Sequence, residues 1–369
     1  MEYPEQEKYW IWLGSIEGIG PKRFYHLIAR YGDAKSVFER AEKGDPCLDR
    51  LPEAVCNRLL TCRHEEYFST LFENLDKNGI TVVTGLNPDY PRLLSEIADA
   101  PPILYKKGAG KLDFPQSVAI VGTRQCTRYG LENTRKIARE LGGEGVLVVS
   151  GMARGIDSAA HIGALEAGGS TVAVFGCGVD IVYPPENQKL YERILESGAV
   201  ISDYAPGIEP VAQYFPARNR IISGMCSATV VVEAGEKSGA MITAGYALEQ
   251  GREVFALPGN VDSKASKGTN IMIRDGEAGI LTDIGQILGL YDAKKSLLQS
   301  RESAVDPALF DENEWKIINC LIQGDEHYDR MLQETGLSVQ DMNSTLTMLE
   351  LRGIIKQLPG HVFSIAVQN

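Results

Sequence analysis

The chain has 369 residues, with 37 Lys and Arg against 49 Asp and Glu and a formal net charge of -12 at pH 7. That length supports two or three domains and a large core. The charge excludes a body drawn to polyanions by its net field, so any nucleic-acid site must be a local basic patch. The seven cysteines, Cys47, Cys56, Cys62, Cys126, Cys177, Cys226 and Cys320, are odd in number and form no C-x-x-C pair. Such usage argues against a zinc cluster or disulfide framework and for a reducing cytosol. The start, Met1–Lys8, is charged and lacks a signal-peptide core, and there is no apolar run of membrane-spanning length. The expectation is a cytoplasmic protein without a membrane partner, metal or cofactor.

From Lys8 to about Asn78 the chain reads as helices: Trp10, Leu13, Ile16 and Ile19 lead through Glu17-Gly-Ile-Gly-Pro-Lys22 to Phe24, Leu27, Ile28 and Tyr31. This suits a helix-hairpin-helix (SAM-like) domain over 1–78, whose Gly18 and Gly20 present backbone N–H groups to a phosphate. It suits equally a plain αα-hairpin that uses the glycines only to turn.

From Gly79 the grammar changes. β-branched runs at Ile80–Val83, Ser117–Val121, Val146–Val149, Thr171–Phe175, Ala199–Ser202, Ala228–Glu233 and Glu253–Leu257 alternate with stretches of helical spacing. The expected fold class is α/β: an extended Rossmann-like parallel sheet over 79–292, covered on both faces. A polar linker over 293–310 follows. Over 311–369 the spacing predicts three helices and a two-stranded wing turning at Pro359-Gly360, which makes a winged helix.

Four stretches at strand ends could carry chemistry. In Val121-Gly-Thr-Arg124, Gly122 lets the backbone approach a ligand and Arg124 can reach a phosphate, or the segment is a helix cap with a solvated arginine. Ser150-Gly-Met-Ala-Arg-Gly-Ile-Asp157 resembles a nest for one phosphate, with Arg154 free to bind an anion or to pair with Asp157. His161, one turn into the next helix, suits packing or capping better than catalysis. Gly176-Cys-Gly178 lacks the third glycine of a dinucleotide fingerprint, and Pro184-Pro185 cannot continue as a phosphate-binding helix, which disfavours a dehydrogenase. The fourth stretch sets Phe215, Arg218, Asn219 and Arg220 beside Lys237-Ser-Gly239 and a helix that includes Thr243. There an aromatic can stack a base while cations and helix-start N–H groups hold phosphates; for Phe215 the alternative is core packing. Lys189 and Lys267 add basic groups. No nucleophile elbow or Walker lysine is present. Asp157, Asp180, Glu233 and Glu236 are the carboxylates that could in principle act as catalysts.

Taken together, the segments Gly122–Arg124, Ser150–Asp157, Gly176–Asp180 with Tyr183-Pro184, Phe215–Gly224, Glu233–Gly239 with Thr243, and Gly251–Gly259 resemble the DprA/Smf family of DNA-processing proteins, in the family's order over about 80–285. Thr123 stands where serine is frequent, and Asp203-Tyr-Ala-Pro206 where Glu-Tyr-Pro-Pro is usual. The resemblance implies a non-enzymatic single-stranded-DNA binder. It also implies a homodimer that loads the RecA recombinase and relieves exclusion by single-strand-binding protein during natural transformation. Carried over by motif, the DNA-binding role falls on Gly122, Thr123, Arg124, Ser150, Gly151, Arg154, Phe215, Arg218, Asn219, Arg220, Lys237, Ser238, Gly239 and Thr243, with Lys189 and Lys267 at the margin.

The competing enzyme reading is a phosphoribohydrolase of the LOG type. Those proteins carry a Pro-Gly-Gly-x-Gly-Thr-x-x-Glu loop, where this chain has Glu233-Ala-Gly-Glu-Lys-Ser-Gly239, a basic residue replacing the glycine run. A duplex-binding regulator would rest on the winged unit alone. Its candidate recognition helix carries Gln340, Asp341, Asn343 and Glu350 and no basic residue before Arg352, so poor duplex binding and a role in protein contact are expected.

Overall fold

A computed structural model describes residues 3–46, 48, 50–291, 309–358 and 361–366. The chain divides into two compact units, Met1–Ile284 and Gly285–Asn369.

The first unit opens with five helices, Glu5–Ser15, Pro21–Tyr31, Ala34–Arg40, Glu53–Thr61 and Glu65–Lys77. Their apolar stripes meet in a cluster around Trp12, Leu13, Phe24, Leu27, Val37 and Leu59. Gly18 has a φ of +92°, and a Cβ there would lie 2.7 Å from Val55 Cγ2. Turn geometry and close packing therefore both require glycine at that position.

The sheet that follows has nine strands: β1 (Thr81–Thr84), β2 (Ile103–Lys107), β3 (Ser117–Val121), β4 (Leu147–Ser150), β5 (Thr171–Val174), β6 (Ala199–Ser202), β7 (Ala228–Val231), β8 (Glu253–Ala256) and β9 (Gly279–Ile280). Their order is β1-β2-β6-β5-β4-β3-β7-β8-β9. Strands β3 to β9 pair in parallel. Alternate residues enter separate cores: Val172, Val174 and Ile201 on one face, Ala173 and Val200 on the other. That is why these strands read as unbroken apolar runs.

Two departures from the sequence reading lie at the β1 edge. The run at Ile80–Val83 becomes β1, but it pairs antiparallel with β2, and β2 pairs antiparallel with β6. β2 itself was not expected, because its short run follows Pro101-Pro102 and ends in two lysines.

From β3 the chain winds through β4, β5 and β6 to one side, then crosses back so that β7 lies on β3's other flank. The order β5-β4-β3-β7-β8-β9 has the reversal that, in a Rossmann fold, opens a crevice beyond the carboxyl ends of the two central strands. The loops after β3 and β7 border that crevice.

The second unit contains the helices Glu312–Gln323, Tyr328–Thr335 and Val339–Leu351 and a three-stranded sheet of β10 (Glu326–His327), β11 (Ile355–Leu358) and β12 (Val362–Ile365), ordered β10-β12-β11. The Asp311 side chain accepts from Glu314 N at 2.8 Å as part of a capping box, and the Ser338 hydroxyl accepts from Asp341 N at 3.1 Å. Ile318, Leu321, Met342, Leu349 and Phe363 fill the core of this winged helix. The short β10 was not foreseen: His327 belongs to it, and the second helix starts at Tyr328. Cys47, the Pro359-Gly360 turn and the linker up to residue 308 lie outside the described residues.

Candidate nucleic-acid interface

The loop after β3 is fixed by glycine and by one glutamate. A Cβ at Gly122 would sit 2.5 Å from Ile156 Cγ1, so glycine is needed where this loop meets the helix Ile156–Glu166. The Thr123 amide donates to the Glu233 carbonyl at 2.7 Å. Four residues on, the Thr127 amide and hydroxyl donate to the two Glu233 carboxylate oxygens at 2.8 and 2.5 Å. Glu233, 1 % exposed, thus staples both ends of the loop and leaves Arg124 exposed between them.

The loop after β4 is held from beneath. The Ser150 hydroxyl donates to the Ile120 carbonyl at 2.6 Å and is buried, so it serves the sheet and does not face the crevice. The Gly151 amide donates to Asp157 Oδ2 at 3.2 Å. Met152 adopts a φ of +51°, costly for a residue with a Cβ, and burial of its side chain holds it there. Asn187 Nδ2 ties this loop down by donating to the Met152 carbonyl at 2.9 Å.

The Phe215 segment corrects the sequence reading. The sequence places it at a strand end, but Tyr214–Gly224 is itself a helix. Pro216 sits in its first turn, where a missing N–H breaks no internal bond. Helical periodicity then separates the two arginines. Phe215, Arg218, Asn219 and Ile222 share a face that lines the crevice. Arg220, two positions and roughly 200° from Arg218, points away. Its Nε lies 3.2 Å from Asp99 Oδ2 and its Nη2 2.7 Å from Asp203 Oδ2, with the residue 8 % exposed. Arg220 is committed to internal carboxylates.

Arg218 is held differently. It is 4 % exposed, and its Nη1 donates to the carbonyls of Gly151, at 3.1 Å, and Val174. It makes no direct ion pair among the described residues. Burial lowers its pKa to about 10, with Asp157 opposing that shift, so it remains a cation at neutral pH. The Phe215 ring lies between two guanidiniums: Arg124 Cζ is 5.8 Å from the ring centroid and Arg218 Cζ 5.9 Å. Tyr183, part of the Tyr183-Pro184 motif but not of the expected binding set, packs on the same ring at 5.3 Å.

The loop after β7 completes the crevice. Ser238 precedes the helix Gly239–Glu249 without capping it through its side chain, and its buried hydroxyl has no partner. The Met241 amide donates to the Ser238 carbonyl at 3.0 Å, which leaves the Gly239 and Ala240 amides of that first turn for an acceptor. Thr243, 2 % exposed, lies one turn in, and Asn219 Nδ2 donates to the Gly239 carbonyl at 3.4 Å.

Together Gly122, Arg124, Phe215, Arg218, Ser238 and Thr243 border a cleft of about 490 Å³. It offers two cations, an aromatic ring and an uncapped helix start, the elements that bind a phosphate and stack a planar ring. The other predicted cations are placed less simply. Arg154 pairs with Glu186 and Lys267 with Glu236, the latter at 3.0 Å, and all four side chains are exposed. Lys237 is exposed beside Ser238, and Lys189 is exposed in the first turn of the helix Gln188–Ser197, two residues after Asn187, which is bonded to the loop after β4.

Beneath the cleft His161 is fully buried. Its Nδ1 contacts Thr171 Oγ1 at 2.7 Å, and that hydroxyl donates to the Val148 carbonyl at 2.7 Å, so Nδ1 carries the proton. Burial, then Arg218, lowers its pKa to about 3. Asp157 is shifted up by burial against the pull of Arg218. Among the described residues no group of three or more His, Cys, Asp or Glu could hold a metal ion, and no helix is long and apolar enough to cross a membrane.

The fold and these loops define a Rossmann-type α/β protein followed by a winged helix. Residues 81–292 match the family model of DNA recombination-mediator protein A, and residues 306–361 match the DprA winged helix domain. Protein Smf of Synechocystis is 34 % identical, over 96 % of this chain and 98 % of its own. DNA processing protein DprA of Streptococcus pneumoniae is 43 % identical over 56 % of this chain and 73 % of its own. Its crystal structure superposes with a TM-score of 0.66 at 34 % identity, covering 78 % of this chain and 98 % of that one. DprA of Helicobacter pylori, a structure that concerns single-stranded DNA binding, superposes with a TM-score of 0.53 at 32 % identity, covering 58 % and 96 %. The chain belongs to the DprA/Smf family of DNA-processing proteins.

Proposed function

We propose that this chain binds single-stranded DNA along the cleft beyond β3, β4 and β7, and that it works as a mediator without catalysing a reaction on the strand. The observation that carries the reading is Arg218. A buried guanidinium, fixed by two carbonyls and within ion-pair distance of no carboxylate among the described residues, sits beside exposed Arg124 and an uncapped helix start. Such a group is preorganised for an external anion. Phe215 beside it provides a face for a base without choosing which base, as a sequence-tolerant binder requires. The Helicobacter pylori relative, whose structure concerns single-stranded DNA, supports the same ligand here.

A hydrolase is disfavoured by Glu233. This buried carboxylate after β7 is not among the residues lining the cleft, and both its oxygens accept hydrogen bonds from Thr127. Family membership supports the finer role: a homodimer in the cytoplasm that loads RecA on the strand in competition with single-strand-binding protein, serving recombination and natural transformation. Within that role Arg124, Arg218, Lys237, the Ser238-Gly239 helix start and Phe215 would contact DNA. Arg220 would hold the helix, and Arg154 and Lys267 would contribute after releasing their carboxylates. The domain limits proposed are 1–78, 79–292 and 311–369.

The test is fluorescence anisotropy with single- and double-stranded oligonucleotides across a salt series. Each neutralised phosphate contributes about 0.7 to the slope on single strands. Arg124→Ala should lower the slope by about that amount and weaken all sequences alike. Equal affinity for duplex, or an unchanged slope in Arg124→Ala, would remove the proposed site.

A further inference from the structure

The glycine hairpin Glu17–Pro21 borders a second cleft of about 430 Å³, whose other walls include Pro102, Tyr105, Tyr204 and Tyr214. The volume lies in the ~300–1,000 Å³ range of ligand sites. Tyr204 and Tyr214 stack with ring centroids 4.3 Å apart and planes at 28°, and both are only half-buried. The cleft is continuous in sequence with the first. Ala212 and Phe215 line one and Tyr214 the other, so the amino end of the helix Tyr214–Gly224 divides them. Two carboxylates face this cleft, and each already has a cation: Asp203 is bound by Arg220 at 2.7 Å, and Glu17 by Arg58 at 3.1 Å. The acidic groups therefore do not repel a polyanion as free charges would. Gly20 opens on empty space, because a Cβ there would meet nothing within 4 Å, and exposed Lys22 follows it.

We infer that a single strand leaving the first cleft rounds the start of this helix, stacks a base on the Tyr214–Tyr204 pair and passes its backbone over the Gly18–Gly20 hairpin. This rests on the DNA reading of the first cleft. It gives the hairpin a ligand that its turn geometry alone does not, and it makes the site longer than the strand-end loops. Stacking on tyrosine is indifferent to base identity, as is the site it extends.

The experiment uses the full chain and two oligothymidylates, one of about 4 and one of about 16 nucleotides, the ends of the range for one stacking module. Tyr214→Leu removes the ring and keeps apolar bulk. Gly20→Asp places a carboxylate on the open hairpin, where the extended backbone (φ -82°, ψ 179°) at a helix N-cap welcomes aspartate, so this variant folds. Tyr214→Leu should weaken the long oligomer roughly 5- to 100-fold, the effect of one lost stacking step, Gly20→Asp should weaken it too by repelling the backbone, and both should leave the short one unchanged. Tyr214→Phe should match the wild type. If both variants bind the long oligomer as the wild type does, the second cleft belongs to something other than a strand and the inference is overturned. If the wild type fails to bind even the short oligomer, the reading of the first cleft falls instead.

Discussion

Replacing Gly151 by alanine probes the centre of the cleft with a single methyl group. The added Cβ would lie 2.6 Å from Arg218 Nη2 and 2.8 Å from both Arg218 Cζ and Asp157 Oδ2. No positive φ is involved at Gly151, so backbone strain does not confuse the result. The methyl must displace the guanidinium, the more mobile of its neighbours, from the carbonyls of Gly151 and Val174. Hydrogen bonds to a charged group are worth about 1.5–3 kcal/mol each. Arg218 regains solvent when it swings into the cleft, so the net cost should be about 2–4 kcal/mol. For a unit of this size that lowers the melting temperature by roughly 3–7 °C. DNA binding should change as well, because the displaced cation no longer occupies one fixed point: the salt slope should fall by about 0.7. Scanning calorimetry gives the first quantity and an anisotropy salt series the second. A Gly151→Ala protein with wild-type melting and wild-type slope would refute the claim that Arg218 is locked there as an anion receptor.

Arg220→Ala should do the opposite of Arg124→Ala: it removes the partner of Asp203, 18 % exposed, and of half-exposed Asp99, should destabilise by about 1–3 kcal/mol as loss of one partner of a largely buried polar group does, and should leave the salt slope unchanged in the folded fraction. His161 titrates in the folded state near 3, well below the ~6.5 of an unfolded chain. As pH falls below ~6.5 the unfolded state takes up the proton first, so stability is lost progressively towards pH 3. The raised pKa of Asp157 opposes this, and comparison with His161→Gln isolates the histidine: urea midpoints of the variant should fall less steeply between pH 6.5 and 4. For the winged unit, the helix Val339–Leu351 carries no lysine or arginine. Deleting residues 309–369 should therefore leave duplex affinity within about twofold of the full chain in a mobility-shift assay, since a recognition helix without cations neutralises no phosphates.

The strands of the central sheet were legible because both faces are covered and β-branched residues follow one another without polar interruption, as in Thr171–Val174. β2 was not, because Ile103–Lys107 becomes a strand only through antiparallel partners at Thr81–Thr84 and Tyr105↔Ser202, contacts that no local pattern encodes. The site was legible in composition but not in geometry. Glycines, arginines and Phe215 mark strand-end loops that the fold brings together around one cleft. Reading Phe215–Arg220 as a turn let both arginines face one ligand, and only the helical register separates them. Glu233 was weighed as a catalyst because a carboxylate at a strand end looks free in sequence; that Thr127, 106 residues earlier, occupies it is a tertiary fact. Likewise Ser150 looked like a nest residue until its hydroxyl was found beneath the sheet.

Arg154–Glu186 and Lys267–Glu236 are surface pairs, and such pairs are worth at most about 1 kcal/mol. In the proposed binding role they would act as latches, opened by exchange with an arriving phosphate. Each exchange would free a glutamate beside the strand, and that freed charge would oppose a second polyanion in the same place. A holder built this way would keep its grip shallow and its release quick, as the proposed transfer of the strand requires.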